Sequence, residues 1–459
     1  MINCRRGLWV LRQLSFLSLF IVIALLCISS PVYAISLEET EFVLNTFSFL
    51  IWGVLVMWMC AGFTMLESGC VRTKNVSVIC LKNIGLFSIA SLAYYFLGYN
   101  VMYVDVETGG WIGSFEFFYS SSDEERALLS GEVEDVTSVV ANNYATMSDW
   151  FFQMVFVATT ASIISGTLAE RVRLYAFFLF IVALTAFIYP VVGAWTWGGG
   201  WLSEMGFQDF AGSTIVHSTG GWAALAGAVL LGARKGKFRQ DGTVKVMPPS
   251  NVPIVTLGVF ILWLGWFGFN GGSQLALGSA LDVVAISNIL VNTNIAAAAG
   301  VVTALVLSRP ILGRIDLMAT LNGAISGLVA ITAGPDLIDH QWAVFIGAVG
   351  GLIAVTGTML LEKVRIDDVV GAIPAHLFAG IWGTLAVCFA AGGTLWVQIA
   401  GILAVAGFVL CSSFIVWFSI DKLIGLRVSD QAEDLGQDVV ELGIEAYPEF
   451  IAVPEEIDD

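Results

Sequence analysis

The chain has 459 residues, of which 57% are hydrophobic and only 12% are charged, with a net charge of −17. A soluble globular domain carries roughly twice that charged fraction, so the composition excludes an ordinary soluble protein. Apolar stretches of about 18 or more residues recur along the chain, each long enough to cross a bilayer as a helix. The weakly alternating segments of about ten residues that are typical of a membrane β-barrel do not occur. The sequence therefore predicts an all-α polytopic membrane protein.

The N-terminal segment, residues 1–34, has the pattern of a signal peptide. Arg5, Arg6 and Arg12 form a positive region before the apolar run LSFLSLFIVIALLCI. The following SSPVYA ends in the small residues of a cleavage site, so we predict cleavage after Ala34. The alternative is that this run remains as an uncleaved first span.

Eleven membrane spans are predicted in residues 35–427, and residues 428–459 follow them as an acidic tail. The spans centre near residues 55, 90, 160, 185, 222, 262, 297, 325, 352, 380 and 408. Three of the 20 Lys and Arg residues precede the predicted cleavage site, and all but Arg126 of the others fall on one side of the membrane. Because cytoplasmic loops carry the excess of Lys and Arg, we predict a multi-pass protein of the cell (inner) membrane. Its mature N-terminus is then outside and its tail is cytoplasmic.

Two segments outside the predicted spans carry most of the negative charge. The external loop, residues 104–147, has nine acidic residues against Arg126, and the tail has eleven acidic residues and no basic one. Segments of this composition are usually solvated, so both are predicted to be exposed for most of their length. No function is predicted for the external loop.

A pattern repeated within the chain indicates where a functional site lies. DFAGSTIVHSTGG at 209–221 and DVVGAIPAHLFAG at 368–380 both fit D-x-x-G-x-x-x-x-H-x-x-x-G, with matching positions 159 residues apart. The first copy starts a span from the outside, and the second starts one from the cytoplasm. The spans therefore form a five-plus-five inverted repeat, and the eleventh lies outside it.

The two histidines of the repeat, His217 and His376, are predicted to lie deep in the membrane. Each follows an aspartate by eight residues, which is about 12 Å along a helix and close to the middle of a hydrocarbon layer of about 30 Å. An ionisable residue at that depth indicates a functional site. The alternative is an interhelical hydrogen bond that contributes about 1–2 kcal/mol. No role is predicted for His340, in a short external loop.

The chemistry available to such a pair is limited. Burial favours neutral imidazoles, each with one N–H donor and one bare nitrogen, which can bond to each other, guide a small polar solute or pass a proton. The sequence shows no Ser-His-Asp arrangement, phosphate-binding loop or metal-ligand spacing. We therefore predict no enzyme activity, no cofactor, no metal and no nucleic-acid partner.

Five further motifs carry a family resemblance. They are AGFTMLESGCVRTKN (61–75), SGTLAERVRL (165–174), YPVVGAWTWGGGWL before DFAGSTIVH, LGWFGFNGGS (264–273) and DDVVGAIPAHLFAGIWGT. Together they make the chain similar to the ammonium transporter (Amt/Mep/Rh) family over nearly its whole mature length. The resemblance implies eleven helices around one narrow pore per subunit, and a homotrimer in the lipid membrane.

The resemblance also implies roles for particular residues. The twin pore histidines match His217 and His376, the outer cation site matches Trp197, Phe156 and Ser273, and the phenyl gate matches Phe156 and Phe269 with Phe152 beside them. Each has a simpler alternative: a tryptophan of the membrane interface for Trp197, and packing for the phenylalanines. Asp209 matches the family's aspartate near the recruitment site. It and Asp368 fit helix N-caps that fix where the histidines point, and direct contact with the substrate is the alternative for Asp209.

The function implied by the resemblance is transport of ammonium or ammonia, with methylammonium as a further substrate. Two alternatives stay open: an ammonium sensor that signals through its tail to a separate partner, and a channel for another small neutral solute. The tail resembles the family's regulatory tail, which binds a PII-type signalling protein in some members. Leu442 stands where such tails usually have a histidine. Two further departures, Pro374 and Leu377, flank the second histidine.

Overall fold

A computed structural model describes residues 36–450 of the chain. The predicted signal peptide with its cleavage after Ala34 lies outside the described residues, as do residues 451–459. Within residues 36–450 the chain forms helices and no β-sheet, and two isolated bridges are the only strand-like pairings there.

Eleven apolar helices make up the body of the protein. They are α1 (Leu37–Cys70), α2 (Thr73–Tyr103), α3 (Thr146–Thr167), α4 (Leu174–Glu204), α5 (Ser213–Leu231), α6 (Val252–Gly272), α7 (Ala280–Leu312), α8 (Leu317–Ile331), α9 (His340–Lys363), α10 (Ile373–Ala390) and α11 (Leu395–Ile424). Ten are long and apolar enough to cross a membrane, and α8 is a shorter apolar helix. Each predicted span centre falls inside one of these helices, which confirms the predicted fold class.

Small residues let several of these helices touch at their backbones. A Cβ on Gly258 of α6 would lie 2.7 Å from the carbonyl oxygen of Gly62 in α1. In α7, Gly300 packs against the main chain of Gly323 in α8, and Gly351 of α9 packs against Gly300. Apolar burial drives little association inside a membrane, so close packing of this kind is a main source of helix affinity there.

Ion pairs join the loops at the end of the bundle where the sequence places the cytoplasm. Arg234 pairs with Asp367 at 2.9 Å and with Glu170 at 3.4 Å, and Glu170 also pairs with Arg72. Burial would raise the pKa of the Asp367 carboxyl, but the hydrogen bonds and charge of Arg234 hold it well below its usual range. The stability that this pairing contributes is therefore present at neutral pH and lost as the pH falls toward the lowered pKa. The network fixes the ends of four different helices at one face.

The first part of the tail packs on this face, although most of its described residues are exposed, as the sequence predicted. The carboxylate of Asp438 is fully buried and accepts hydrogen bonds of 2.8 Å from the main-chain N–H groups of Ser77 and Val78. Lys74 donates to the carbonyl oxygens of Glu433 and Asp434 at 2.8 and 2.6 Å. The Asp438 carboxylate therefore docks this part of the tail on main-chain N–H groups near the start of α2.

The external loop is exposed over most of its length, as its composition predicted, and it also contains regular structure. It contains two short helices, Asp123–Ser130 and Thr137–Val140. The Glu125 carboxylate is buried and accepts hydrogen bonds from the main-chain N–H and hydroxyl of Thr146 at 2.7 and 2.5 Å. The loop therefore packs against the start of α3.

Candidate functional site

The two histidines of the repeat meet at the centre of the structure. The Nδ1 atoms of His217 and His376 are 3.2 Å apart, and their ring centroids are 5.2 Å apart with an angle of 27° between the planes. Both side chains are buried, and the Nε2 atom of His217 has no protein partner. In this contact one Nδ1 donates and the other accepts, and the tautomers of the two rings decide which.

Both histidines lie on a turn of π-helix that begins a span. These turns are Ser213–Ser218 in α5 and Ile373–Phe378 in α10. Turns of this kind are rare and are frequent at functional sites, because the widened ring re-aims side chains. Pro374 lies in the first turn of its helix, where a missing N–H leaves no intrahelical bond unmade.

The glycines of the repeat explain how the two turns come together. Gly212 and Gly371 have φ values of 106° and 78°, a left-handed conformation that favours glycine. The second glycine of each copy lies against the other copy: a Cβ on Gly221 would be 2.6 Å from the Cβ of Leu377, and Gly380 packs on the main chain of Ser213. The second glycines of the repeat therefore allow the two histidine turns to pack in close contact.

The two aspartates hold the starts of these turns. The Asp209 carboxylate accepts four main-chain N–H groups at 2.8–3.1 Å, from Gly212, Ser213, Thr214 and Ile215. Burial raises the pKa of this carboxyl to about 6, and the four N–H groups oppose that shift. Asp368 is bound less completely, by the N–H groups of Gly371 and Ile373 and the hydroxyl of Thr167.

Aromatic rings continue from the histidines toward the end of the bundle that the sequence places outside. Phe269 lies 5.3 Å from His217 between ring centroids, and Phe156 stacks on Phe269 at 3.9 Å and 20°. Phe152 contacts Phe156 at 4.8 Å, and Trp197 meets Phe156 edge-on at 6.1 Å and 81°. The stacked phenylalanines are buried, so they separate the half-buried Trp197 from the imidazole pair.

Two polar contacts fix the outer end of this column. The Trp197 indole N–H donates to the carbonyl oxygen of Asp209 at 3.0 Å, which ties the tryptophan to the histidine turn. The Ser273 hydroxyl, at the end of α6, donates to the carbonyl oxygen of Phe269 at 2.9 Å. Its proton is thereby engaged, and its oxygen lone pairs remain as acceptors.

Two aromatic residues that the sequence analysis does not predict also lie beside the histidines. Trp266 stacks on His217 at 5.1 Å and 19°, and its indole N–H donates to the hydroxyl of Thr332 at 2.9 Å. Phe63 lies 6.4 Å from His376 on the other side. Trp266 is three residues before Phe269 and therefore on the same helix face, which is a signal that the motif LGWFGFNGGS contained.

A narrow cavity continues the column beyond His376. Phe63, Glu67, Ile325 and Val370 are among its lining residues. Val370 also lines a wider cavity with Asp368, Gly371 and Arg234, at the face where the tail docks. Among residues 36–450 there is no cluster of His, Cys, Asp and Glu that could hold a metal ion. The stacked rings thus lie on one side of the histidine pair, and the narrow cavity that His376 lines lies on the other.

Eleven apolar helices packed around a column of aromatic rings and paired imidazoles define a multi-pass membrane protein. The model of the Ammonium Transporter Family matches residues 47–447, so the chain belongs to that family. It is 39% identical to the ammonium transporter Amt2 of Archaeoglobus fulgidus over 439 residues, covering 89% of each chain. It is also 39% identical to the putative ammonium transporter sll1017 of Synechocystis, covering 89% of this chain and 90% of that protein.

Solved structures show the same fold. A protein described as a sensor Amt protein matches with a TM-score of 0.80 at 34% identity, covering 88% of this chain and 99% of its own. Mep2 of Candida albicans matches with a TM-score of 0.74 at 26% identity, covering 93% of this chain and 95% of its own. Both likenesses agree with the eleven-helix architecture.

Proposed function

We propose that this protein carries ammonium across the cell membrane through one pore per subunit, with deprotonation to ammonia on the way. The observation that carries the proposal is the buried, mutually bonded pair of His217 and His376 at the inner end of the aromatic column. Membership of a family whose relatives are named ammonium transporters supports the substrate class.

In this proposal the outer site selects for a cation. Trp197 and Phe156 offer aromatic surface, and a cation over an aromatic face gains about 2 kcal/mol or more when it is desolvated. The Ser273 oxygen supplies an acceptor for one N–H of ammonium. Potassium carries the same charge as ammonium but has no N–H group to donate. The hydrogen bond to the Ser273 oxygen therefore favours ammonium.

The phenyl gate then forces deprotonation. Phe156, Phe269 and Phe152 offer no acceptor, so a bare cation that passes them loses its hydration without replacement, which is far more costly than for a neutral molecule. Ammonium is an acid of about the strength of a lysine ammonium group, and desolvation makes it more acidic. Ammonia can pass the gate, and the imidazole nitrogens of His217 and His376 then exchange hydrogen bonds with it along the pore.

Replacing Trp197 by leucine tests the outer site. We expect discrimination among ammonium, methylammonium and potassium to weaken by up to roughly thirtyfold, which is the equivalent of about 2 kcal/mol of cation binding. The measurement is competition between these ions in uptake of labelled methylammonium by folded, purified protein. Trp396→Leu is the control, because Trp396 is a tryptophan that is 62% exposed at the start of α11. Unchanged selectivity in Trp197→Leu would leave Trp197 as an interfacial residue.

We place the tail inside the cell, at the inner membrane. A cysteine at the exposed Ser429 is expected to resist an impermeant thiol reagent on intact cells, whereas one at Ser130 in the external loop reacts. The seven native cysteines of the chain are first replaced by serine, because Cys60 and Cys388 are partly exposed as well as Cys80 and Cys411, so that labelling reports only the new thiol. Ready labelling of Ser429→Cys in intact cells would overturn this orientation.

Assembly and signalling are further parts of the proposal. The family resemblance leads us to propose a homotrimer, with a PII-type protein as a candidate partner at the tail. A second function, ammonium sensing, has its own support. A solved relative of 34% identity is described as a sensor, and the tail of this chain docks on the face that the sequence places in the cytoplasm. In that alternative, ammonium in the pore alters the docked tail, which is read by a separate partner.

A further inference from the structure

One buried carboxyl group beyond the histidines takes no part in the proposed transport steps. Glu67 lies near the inner end of α1, and its side chain is 1% exposed. Its Oε2 accepts a hydrogen bond of 2.6 Å from the hydroxyl of Ser165. Its Oε1 is buried and has no hydrogen-bond partner in the protein.

The nearest cation is only loosely paired with this carboxyl. The Nζ atom of Lys82 is 3.9 Å from the Glu67 Oε2, donates to the carbonyl oxygen of Ser165 at 2.7 Å and lies 5.1 Å from the centre of the Phe177 ring. The lysine therefore balances the charge of the carboxyl without occupying its free oxygen. Burying an ion pair costs free energy unless both groups make good hydrogen bonds. The loosely paired Glu67 and Lys82 are therefore poorly explained by a contribution to stability.

The position of Glu67 indicates a use for the free oxygen. Glu67 and His376 both line the narrow cavity that continues the pore, and they are its two ionisable lining residues. The rest of that wall is apolar apart from Ser162, whose hydroxyl donates to the carbonyl oxygen of Ala158. A solute that leaves the histidine pair thus meets one carboxyl before it passes Val370 into the wider inner cavity.

We propose that Glu67 is a proton-exchange residue at the inner end of the pore, a role that rests on the proposed ammonium transport. Ammonia that leaves the histidines takes the proton of the Glu67 carboxylic acid: an N–H bond forms, the O–H bond breaks, and ammonium and a carboxylate result. Water carries the proton that ammonium released at the outer site to the Nε2 atom of His217, where an N–H bond forms. A proton then passes across the Nδ1–Nδ1 hydrogen bond, and His376 gives one to the Glu67 carboxylate, so an N–H bond breaks, the O–H bond forms again and the imidazole pair is neutral once more. One positive charge therefore crosses with each ammonia, and Lys82 stabilises the carboxylate between cycles as a positioning residue.

The ratio of charge to ammonia moved is the property that this role controls. Wild-type protein and Glu67→Gln are reconstituted in liposomes, and the ammonium-driven current and the ammonia flux are measured on the same preparation. A positioned proton-transfer group typically contributes 10²–10⁴-fold to its step, so we expect the ratio to fall about tenfold or more in Glu67→Gln. Glu125→Gln is the matched control, because it neutralises a buried carboxyl in the external loop, and we expect no change in its ratio.

A second variant covers the case in which Glu67→Gln fails to fold because Lys82 loses its counter-charge. Glu67→Gln with Lys82→Met removes both charges, and we expect the same fall in the ratio. A wild-type ratio in either folded variant would overturn the role of Glu67. Wild-type protein that moves ammonia without charge would also overturn it, and would leave the proposed transport in place. Wild-type protein that moves neither would overturn both.

Discussion

Replacing Asp209 by alanine is expected to prevent most of the protein from reaching its folded state. The substitution leaves four buried main-chain N–H groups without their acceptor, at positions 212–215. Each such group costs about 1–3 kcal/mol, so the sum approaches the whole net stability of a typical domain, about 5–15 kcal/mol. Asp209→Asn, which retains one acceptor oxygen, is expected to lie between alanine and the wild type.

The measurement is the yield of folded oligomer after extraction, with its thermal unfolding midpoint. Asp316→Ala is the matched control, because Asp316 caps the start of α8 through one main-chain N–H, that of Ala319. Loss of a single cap costs typically about 1 kcal/mol, so this variant is expected to fold. If Asp209→Ala unfolds at the wild-type temperature, the carboxylate is not what holds the first histidine turn.

Replacing His217 or His376 by leucine is expected to change conduction or selectivity while the protein still folds. Leucine removes one hydrogen-bond donor and one acceptor, and at that depth bulk water does not replace them. It keeps much of the volume of the imidazole ring. Because the rings of His217 and His376 bond to each other, each single change also leaves the other ring without its partner. We therefore expect non-additive effects, with the double variant little worse than the more damaging single one.

This prediction is measured as ammonium uptake or current for both single variants and the double, on protein shown to be a folded oligomer. His340→Leu is the control, because His340 is exposed at the start of α9 and bonds to Asn292 outside the column. Additive losses would show that the two rings act separately. Wild-type conduction and selectivity in all three variants would leave the histidines with a structural role.

The sequence alone was sufficient for the helices and for the position of the repeat. Hydropathy located every span, including the short α8, because a membrane helix is defined mainly by its own composition. The spacing from Asp209 to His217, and from Asp368 to His376, predicted two equivalent turns, because an N-cap and the residues it orients are close in sequence. Patterns within one segment therefore predict each histidine turn separately.

Contacts between distant segments could not be predicted in the same way. The stacking of Trp266 on His217 and the proximity of Phe63 to His376 depend on how four helices cross. The docking of Asp438 could not be predicted, because the donors that bind it are main-chain N–H groups, which carry no sequence signal. Glu67 is visible as a lone acid in an apolar run, but only the fold brings it to the cavity below the histidines.

Ammonium flux through purified wild-type protein in liposomes tests the central claim most directly. The protein is reconstituted without any partner, and the entry of ammonium or ammonia is followed with increasing outside ammonium, against empty liposomes. The proposed transport predicts a flux well above that of empty liposomes that saturates as the outer site at Trp197 fills. Saturable ammonium binding with no flux above the empty liposomes would contradict it and would identify the protein as a sensor.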